Sequence, residues 1–182
     1  MSRPLPLLAV AVSSLALSLV ASNASAQPST RSITVTSPAF TNGGAIPSKY
    51  SCDADGKSPP LEWSDLPTGT KSVAVVVDDP DAPRGTFVHW VLFDLPAGTS
   101  KLGEDAASSP PAGAAQGKNG SGKSAWTPPC PPSGVHHYHF KVYALSQPIT
   151  LSQPSEGDLM RAMAGHVLGQ GELVGTYERT KK

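Results

Sequence analysis

Apolar and polar residues alternate in short bursts along this chain, and only one stretch keeps a helical period. Residues 32–36 alternate polar and apolar, which predicts a short strand. Residues 71–79 carry Val73, Val75, Val76 and Val77 in a nearly continuous apolar run and predict a central strand. Residues 86–95, rich in aromatic and β-branched side chains and closed by Pro96, predict a second. Alternation there puts His89 on the side of Phe87, Val91 and Phe93. Residues 136–145 predict a third long strand whose faces separate cleanly. His136, Tyr138, Phe140, Val142 and Ala144 share one face, and His137, His139, Lys141 and Tyr143 the other.

The helical stretch follows Ser155-Glu156-Gly157-Asp158, which resembles a capping box. Leu159, Met160, Met163, Val167 and Leu168 then recur at helical spacing, with Gly169 and Gly171 as the stop. Residues 172–177 predict a last short strand. Residues 103–132 are Gly, Ala, Ser and Pro with almost no periodicity, a long loop of the kind that is functional or disordered. No internal repeat or domain boundary interrupts residues 27–182, which are expected to form a single, mostly β domain.

Composition narrows the picture. With 19 Pro and 17 Gly in 182 residues, a helical bundle or coiled coil is excluded, because both residues break helix interiors. Fourteen basic side chains balance fourteen acidic ones, so nothing supports a nucleic-acid binder that works by neutralising phosphates. At the N-terminus Arg3 precedes an apolar run from Leu5 to Val20 that ends in Ala24-Ser25-Ala26. This is the pattern of a secretory signal peptide, residues 1–26, cleaved after Ala26 to leave Gln27 first. The rival reading is a membrane anchor, but the run is short and broken by Pro6, Ser13, Ser14 and Ser18. The mature chain is therefore expected in the periplasm or outside the cell, with no membrane span.

Export changes how Cys52 and Cys130 read. An even pair in an oxidising compartment predicts a disulfide, worth on the order of 4 kcal/mol across so long a loop. The alternative is two unpaired thiols.

Several motifs carry candidate chemistry. Residues 117–124, Gly-Lys-Asn-Gly-Ser-Gly-Lys-Ser, match the phosphate-binding P-loop pattern letter for letter. That loop needs a buried strand before it and a helix after it, and residues 106–116 and the proline-rich 125–132 offer neither. Asn119-Gly120-Ser121 also matches a glycosylation acceptor. His137 and His139 share a strand face at a spacing that can chelate zinc, yet no third ligand is visible, and no metal or other cofactor is expected. Asp78-Asp79-Pro80-Asp81-Ala82-Pro83 reads at least as a rigid, solvated turn.

Four segments together say more: Ser58-Pro59-Pro60-Leu61-Glu62-Trp63, Asp79-Pro80-Asp81-Ala82-Pro83, His89-Trp90, and Cys130-Pro131-Pro132-Ser133-Gly134-Val135-His136-His137-Tyr138. In this order, with Gly165-His166 and Leu173-Val174-Gly175-Thr176-Tyr177, they resemble the phosphatidylethanolamine-binding, or Raf-kinase-inhibitor-like, family in its bacterial branch. The resemblance implies a large central antiparallel sheet, a smaller second sheet and one or two short helices. It also implies a small pocket for phosphate, phosphorylated head groups or acetate. Carried over by motif, the ligand-binding set is Asp79, His89, His136 and Tyr138, with Pro83, Pro131 and Pro132 at the rim. Imidazole N–H and phenol O–H donate to anionic oxygens, and Asp79 can orient an imidazole.

Two departures from the family pattern stand out. His137 occupies a usual arginine position, and Ala125-Trp126-Thr127-Pro128-Pro129 replaces a glycine-rich approach. The second is expected to stiffen the pocket mouth and place a large aromatic there. The function expected is an exported anion-binding protein that is not an enzyme. A phosphate monoester should bind less well as pH rises through about 6 to 7.5, since imidazolium donates better than imidazole. The alternatives are a secreted protease inhibitor or signalling modulator acting through the loops around the pocket, and a hydrolase using the Asp/His set.

Overall fold

Val73, Val75 and Val77 pack into one apolar cluster and Ala74 and Val76 into another, so the strand that carries them is buried on both faces. The computed structural model describes residues 30–179, and the expected signal peptide with its cleavage point lies outside them. In chain order the strands are β1 (Arg31–Ser32), β2 (Thr34–Thr36), β3 (Leu61–Ser64), β4 (Ser72–Asp79), β5 (Phe87–Pro96), β6 (Lys101–Leu102), β7 (Ala115–Gln116), β8 (His136–Leu145) and β9 (Val167–Tyr177). A helix, α1 (Glu156–Met163), lies between β8 and β9.

Six strands form the larger sheet in the order β1-β9-β8-β4-β5-β7, and β2, β3 and β6 form the smaller one. This is the mostly β architecture expected. Pairing in the large sheet is antiparallel except at one edge, where β1 runs parallel to β9, so the sheet is mixed. One face packs Leu61, Trp63 and Leu102 of the small sheet against Val75, Phe140 and Leu173. The other is covered by Leu159 and Met163 of α1.

The structure corrects three expectations of secondary structure. The strand expected over residues 32–36 breaks at Ile33. Arg31 and Ser32 pair with β9, Ile33 N–H donates to the Gln170 carbonyl at 2.9 Å, and Val35 then pairs with Trp63 in the other sheet. The helix is capped by Ser155 and Asp158 as expected but stops at Met163, because Gly165 turns the chain with φ +79°. Val167 and Leu168 therefore open an 11-residue strand in place of a last helical turn. Gly171, expected as a stop signal, is a strand residue where the chain crosses close by. A Cβ there would lie 2.0 Å from the Ile33 carbonyl oxygen.

The loop over residues 103–132 is shaped by turns and by β7, which pairs with β5. Its P-loop-like segment is a turn built on Asn119. The Asn119 amide donates to the Ala125 carbonyl and to Thr127 Oγ1, and its oxygen accepts from the Ser121 and Lys123 N–H groups. No helix begins directly after this turn, and residues 125–135 run on as irregular chain to β8.

Candidate functional site

Asp79 ends β4 and His136 begins β8, the neighbouring antiparallel strand, so the pairing brings both to the same end of the sheet. The His136 ring donates from Nδ1 to Asp79 Oδ2 at 2.7 Å, and both side chains are buried. The other carboxylate oxygen accepts the Asp81 N–H at 2.9 Å, which ties the proline-rich turn to the same group.

His89 arrives by a different device. Val77 pairs with Trp90 and Asp78 with Val88, which leaves His89 as an extra residue in β5, a β-bulge. Past this bulge the simple alternation fails. Val91 and Phe93 face the α1 side of the sheet, whereas the His89 ring lies 5.1 Å from that of Tyr138 and 4.9 Å from that of Phe87. The expected grouping of His89 with Val91 and Phe93 is thus corrected by the bulge. His89 Nδ1 lies 2.6 Å from the Thr127 carbonyl, which can only accept, so this nitrogen bears the proton. Burial pushes the His89 pKa down. The Thr127 carbonyl, Asp79 and Asp78 act in the opposite direction and do not overcome it.

Tyr138 supplies the third polar group. Its hydroxyl is buried and donates no hydrogen bond to any of the described residues. The Cys130 backbone N–H is directed at the phenol oxygen as an acceptor, at a geometry too poor for a full hydrogen bond, so the O–H proton has no acceptor among the described residues. Burial, and then Asp79 and Asp81, hold its pKa well above that of an ordinary phenol, so it stays an O–H donor.

These groups line one cavity of about 200 Å³. Asp79, Pro83, His89, Pro131, Pro132, His136 and Tyr138 all border it, together with Thr127 and Pro128 of the segment expected at its mouth, and with Ala82, Phe87 and Cys130, which were not in the expected ligand-binding set. Phe87 is reachable in principle from strand alternation, two residues before His89. Thr127 and Pro128 arrive on an irregular segment whose path no periodicity encodes. Cys130 is joined to Cys52 by a disulfide with Cα atoms 5.4 Å apart, which anchors the proline wall.

Comparison with known proteins fits this geometry. The family model for phosphatidylethanolamine-binding proteins matches residues 36–178. The chain belongs to the phosphatidylethanolamine-binding protein family. A UPF0098 protein of Methanothermobacter thermautotrophicus is 46% identical over 144 residues, covering 78% of this chain and 95% of that protein. Among solved structures, a phosphatidylethanolamine-binding protein homologue from Chlamydia trachomatis superposes with TM-score 0.77 at 39% identity, covering 83% of this chain and 100% of its own. The E. coli family member YbcL gives TM-score 0.76 at 33% identity, covering 81% and 99%.

The two departures of this phosphatidylethanolamine-binding protein relative take definite places. His137 turns outward, and Asp81 Oδ2 accepts from both its N–H and its ring Nδ1, at 2.8 and 2.7 Å. Those bonds pull the Asp81 carboxyl below the usual carboxylate range. His139 pairs with Glu172 at 2.7 Å instead of joining His137. Among the described residues no three His, Cys, Asp or Glu side chains gather as a metal site. Trp126 does not sit at the pocket mouth as expected. Its indole donates to the Gly56 carbonyl at 3.0 Å, and its ring packs behind His89 and against Trp90 and Phe140.

Proposed function

We propose that this chain is an exported binding protein whose cavity holds a small oxyanion, either inorganic phosphate or the phosphate of a phosphorylated head group. The observation that carries this reading is the Tyr138 hydroxyl. A buried O–H with no acceptor costs about 1–3 kcal/mol, and such a group in a native fold calls for an explanation. A ligand oxygen seated in the cavity accepts that proton. The rings of His89 and His136 border the same space with Nδ1 already engaged, so Nε2 of each is the nitrogen left for the ligand. Charge recognition here comes from a few placed groups and not from a basic surface, in keeping with the chain's zero formal charge.

Export is supported by the N-terminal sequence pattern and by the disulfide, a bond that persists in oxidising compartments. The same disulfide engages the sulfur of Cys130, which borders the cavity and as a free thiolate would be a nucleophile, which favours binding without turnover. Calorimetry with inorganic phosphate and phosphoethanolamine tests the reading. Binding at millimolar concentration or tighter, weakened roughly tenfold in His136→Ala, is the expected result. No heat with either ligand, or unchanged affinity in the variant, overturns it.

A further inference from the structure

Resting on that reading, we propose that the cavity selects oxyanions that carry their own proton, hydrogen phosphate and the monoanion of a phosphate monoester, against fully ionised tetrahedral anions such as sulfate. His89 is the residue that sets this selectivity.

The Thr127 carbonyl sets the protonation site of the His89 ring. Because it can only accept, His89 must keep its proton on Nδ1, across 2.6 Å, and Nε2 then carries a lone pair unless the ring gains a second proton. The surroundings resist that second proton. His89 is 4% exposed, with Phe87, Trp126 and Tyr138 rings around it at 4.9, 6.1 and 5.1 Å. The charged and titratable groups that face it are Asp79 and Asp78 on β4, which favour the cation, and His136 and the un-ionised Tyr138 on β8. Burial outweighs the two carboxylates. His136 is arranged alike, with Nδ1–H given to Asp79 and Nε2 free.

A ligand therefore meets the Tyr138 O–H donor and, while the His89 ring is neutral, a lone pair on His89 Nε2, with His136 Nε2 bordering the same space. Sulfate and phosphate have nearly the same size and shape, so sterics cannot separate them. At neutral pH every sulfate oxygen is an acceptor, and against a bare Nε2 it finds repulsion. A P–O–H group donates to that nitrogen while another phosphate oxygen accepts from Tyr138. Sites built to pair with a ligand O–H reject the analogue that lacks it, because their polar atom is left unpaired. Sulfate is accepted once the His89 ring takes up a second proton and Nε2 becomes a donor, which happens in acid.

Calorimetry on the whole chain at pH 7.5 and pH 5.5, with sodium phosphate, sodium sulfate and phosphoethanolamine at constant ionic strength, tests this. At pH 7.5 phosphate is expected to bind roughly tenfold or more tightly than sulfate. Sulfate gains at pH 5.5. Phosphoethanolamine weakens between the two, since a monoester loses its second proton near pH ~6, while inorganic phosphate keeps an O–H and changes less. In His89→Phe the preference for phosphate over sulfate collapses, and the wild-type comparison decides the matter if that variant does not fold. Equal affinity for sulfate and phosphate at pH 7.5 overturns the selectivity but leaves the anion pocket standing. No binding of any of the three at either pH overturns the pocket itself.

Discussion

The Asp79 carboxylate and the His136 imidazole, 57 positions apart in sequence, meet at 2.7 Å in a wall where both side chains are buried. One carboxylate serves two elements, holding the ring through Oδ2 and the Asp81 backbone N–H through Oδ1. It therefore fixes both the tautomer of His136 and the shape of the turn that carries Pro83. Neither effect needs Asp79 to touch a ligand.

Asp79→Asn separates these roles. The Asp81 N–H requires an acceptor, so the amide oxygen takes the Oδ1 place and the NH₂ group faces His136. The ring must then accept at Nδ1 and carry its proton on Nε2. Nitrogen NMR of the His136 ring is expected to show this exchange of tautomers, with the fold retained. An unchanged tautomer would show that Asp79 does not set it.

Tyr138→Phe should divide binding from stability. The hydroxyl has no hydrogen-bond acceptor among the described residues, so removing it spares a desolvation cost, and unfolding stability is expected to hold or to rise by about 1 kcal/mol. Phosphate affinity is expected to fall roughly tenfold, the loss of one hydrogen bond to a charged group. Urea unfolding and calorimetry on the same preparation measure both. A loss of stability with unchanged affinity would make Tyr138 a core residue only.

Half of this site was legible because β8 is a regular strand. Period two places His136 and Tyr138 on the buried face and His137 and His139 on the other, and the structure keeps that division. His89 was legible only by resemblance, since its face depends on a bulge that alternation cannot register. Val167 and Leu168 fit a helical period as well as a strand, and Gly165 decides between them through its backbone conformation. The small sheet was legible only by resemblance, because β2, β3 and β6 span two to four residues each, too short for a period to place them in a sheet. Ile33, where the chain leaves one sheet for the other, carries no mark of that crossing in its sequence.

His89 should leave a signature in the pH dependence of stability. Its pKa is lowered in the folded chain, chiefly by burial, from an ordinary value of 6.5. As pH falls through 6.5 the unfolded chain takes up this proton first, so stability declines on the acid side until the folded-state pKa is passed. Above 6.5 neither state is protonated and the contribution is flat. Urea midpoints measured from pH 5 to 7.5 are expected to rise with pH in the wild type and to rise less in His89→Phe. Saturating phosphate, whose proton can satisfy Nε2, should not abolish the slope. Identical slopes in the two proteins would place the acid sensitivity elsewhere.

The disulfide ties the fold to the pocket. Cys52 and Cys130 join residues 78 apart in sequence, and Cys130 lies within the proline wall of the cavity. Two hydrogen bonds run alongside it, from Cys52 N–H to the Pro129 carbonyl and from the Trp126 indole to the Gly56 carbonyl, both at 3.0 Å. Loss of the cross-link removes on the order of 4 kcal/mol in the chain-entropy model, equivalent to roughly 10 °C or more in Tm for a domain of this size. The Cys52→Ser, Cys130→Ser pair is expected to melt lower by that amount. The two hydrogen bonds keep the wall in place at 25 °C, so phosphate affinity should fall only severalfold there and more steeply on warming. Binding lost outright at 25 °C in a variant that remains folded would mean that the covalent bond alone shapes the wall, and that the pocket responds to reductant as a switch.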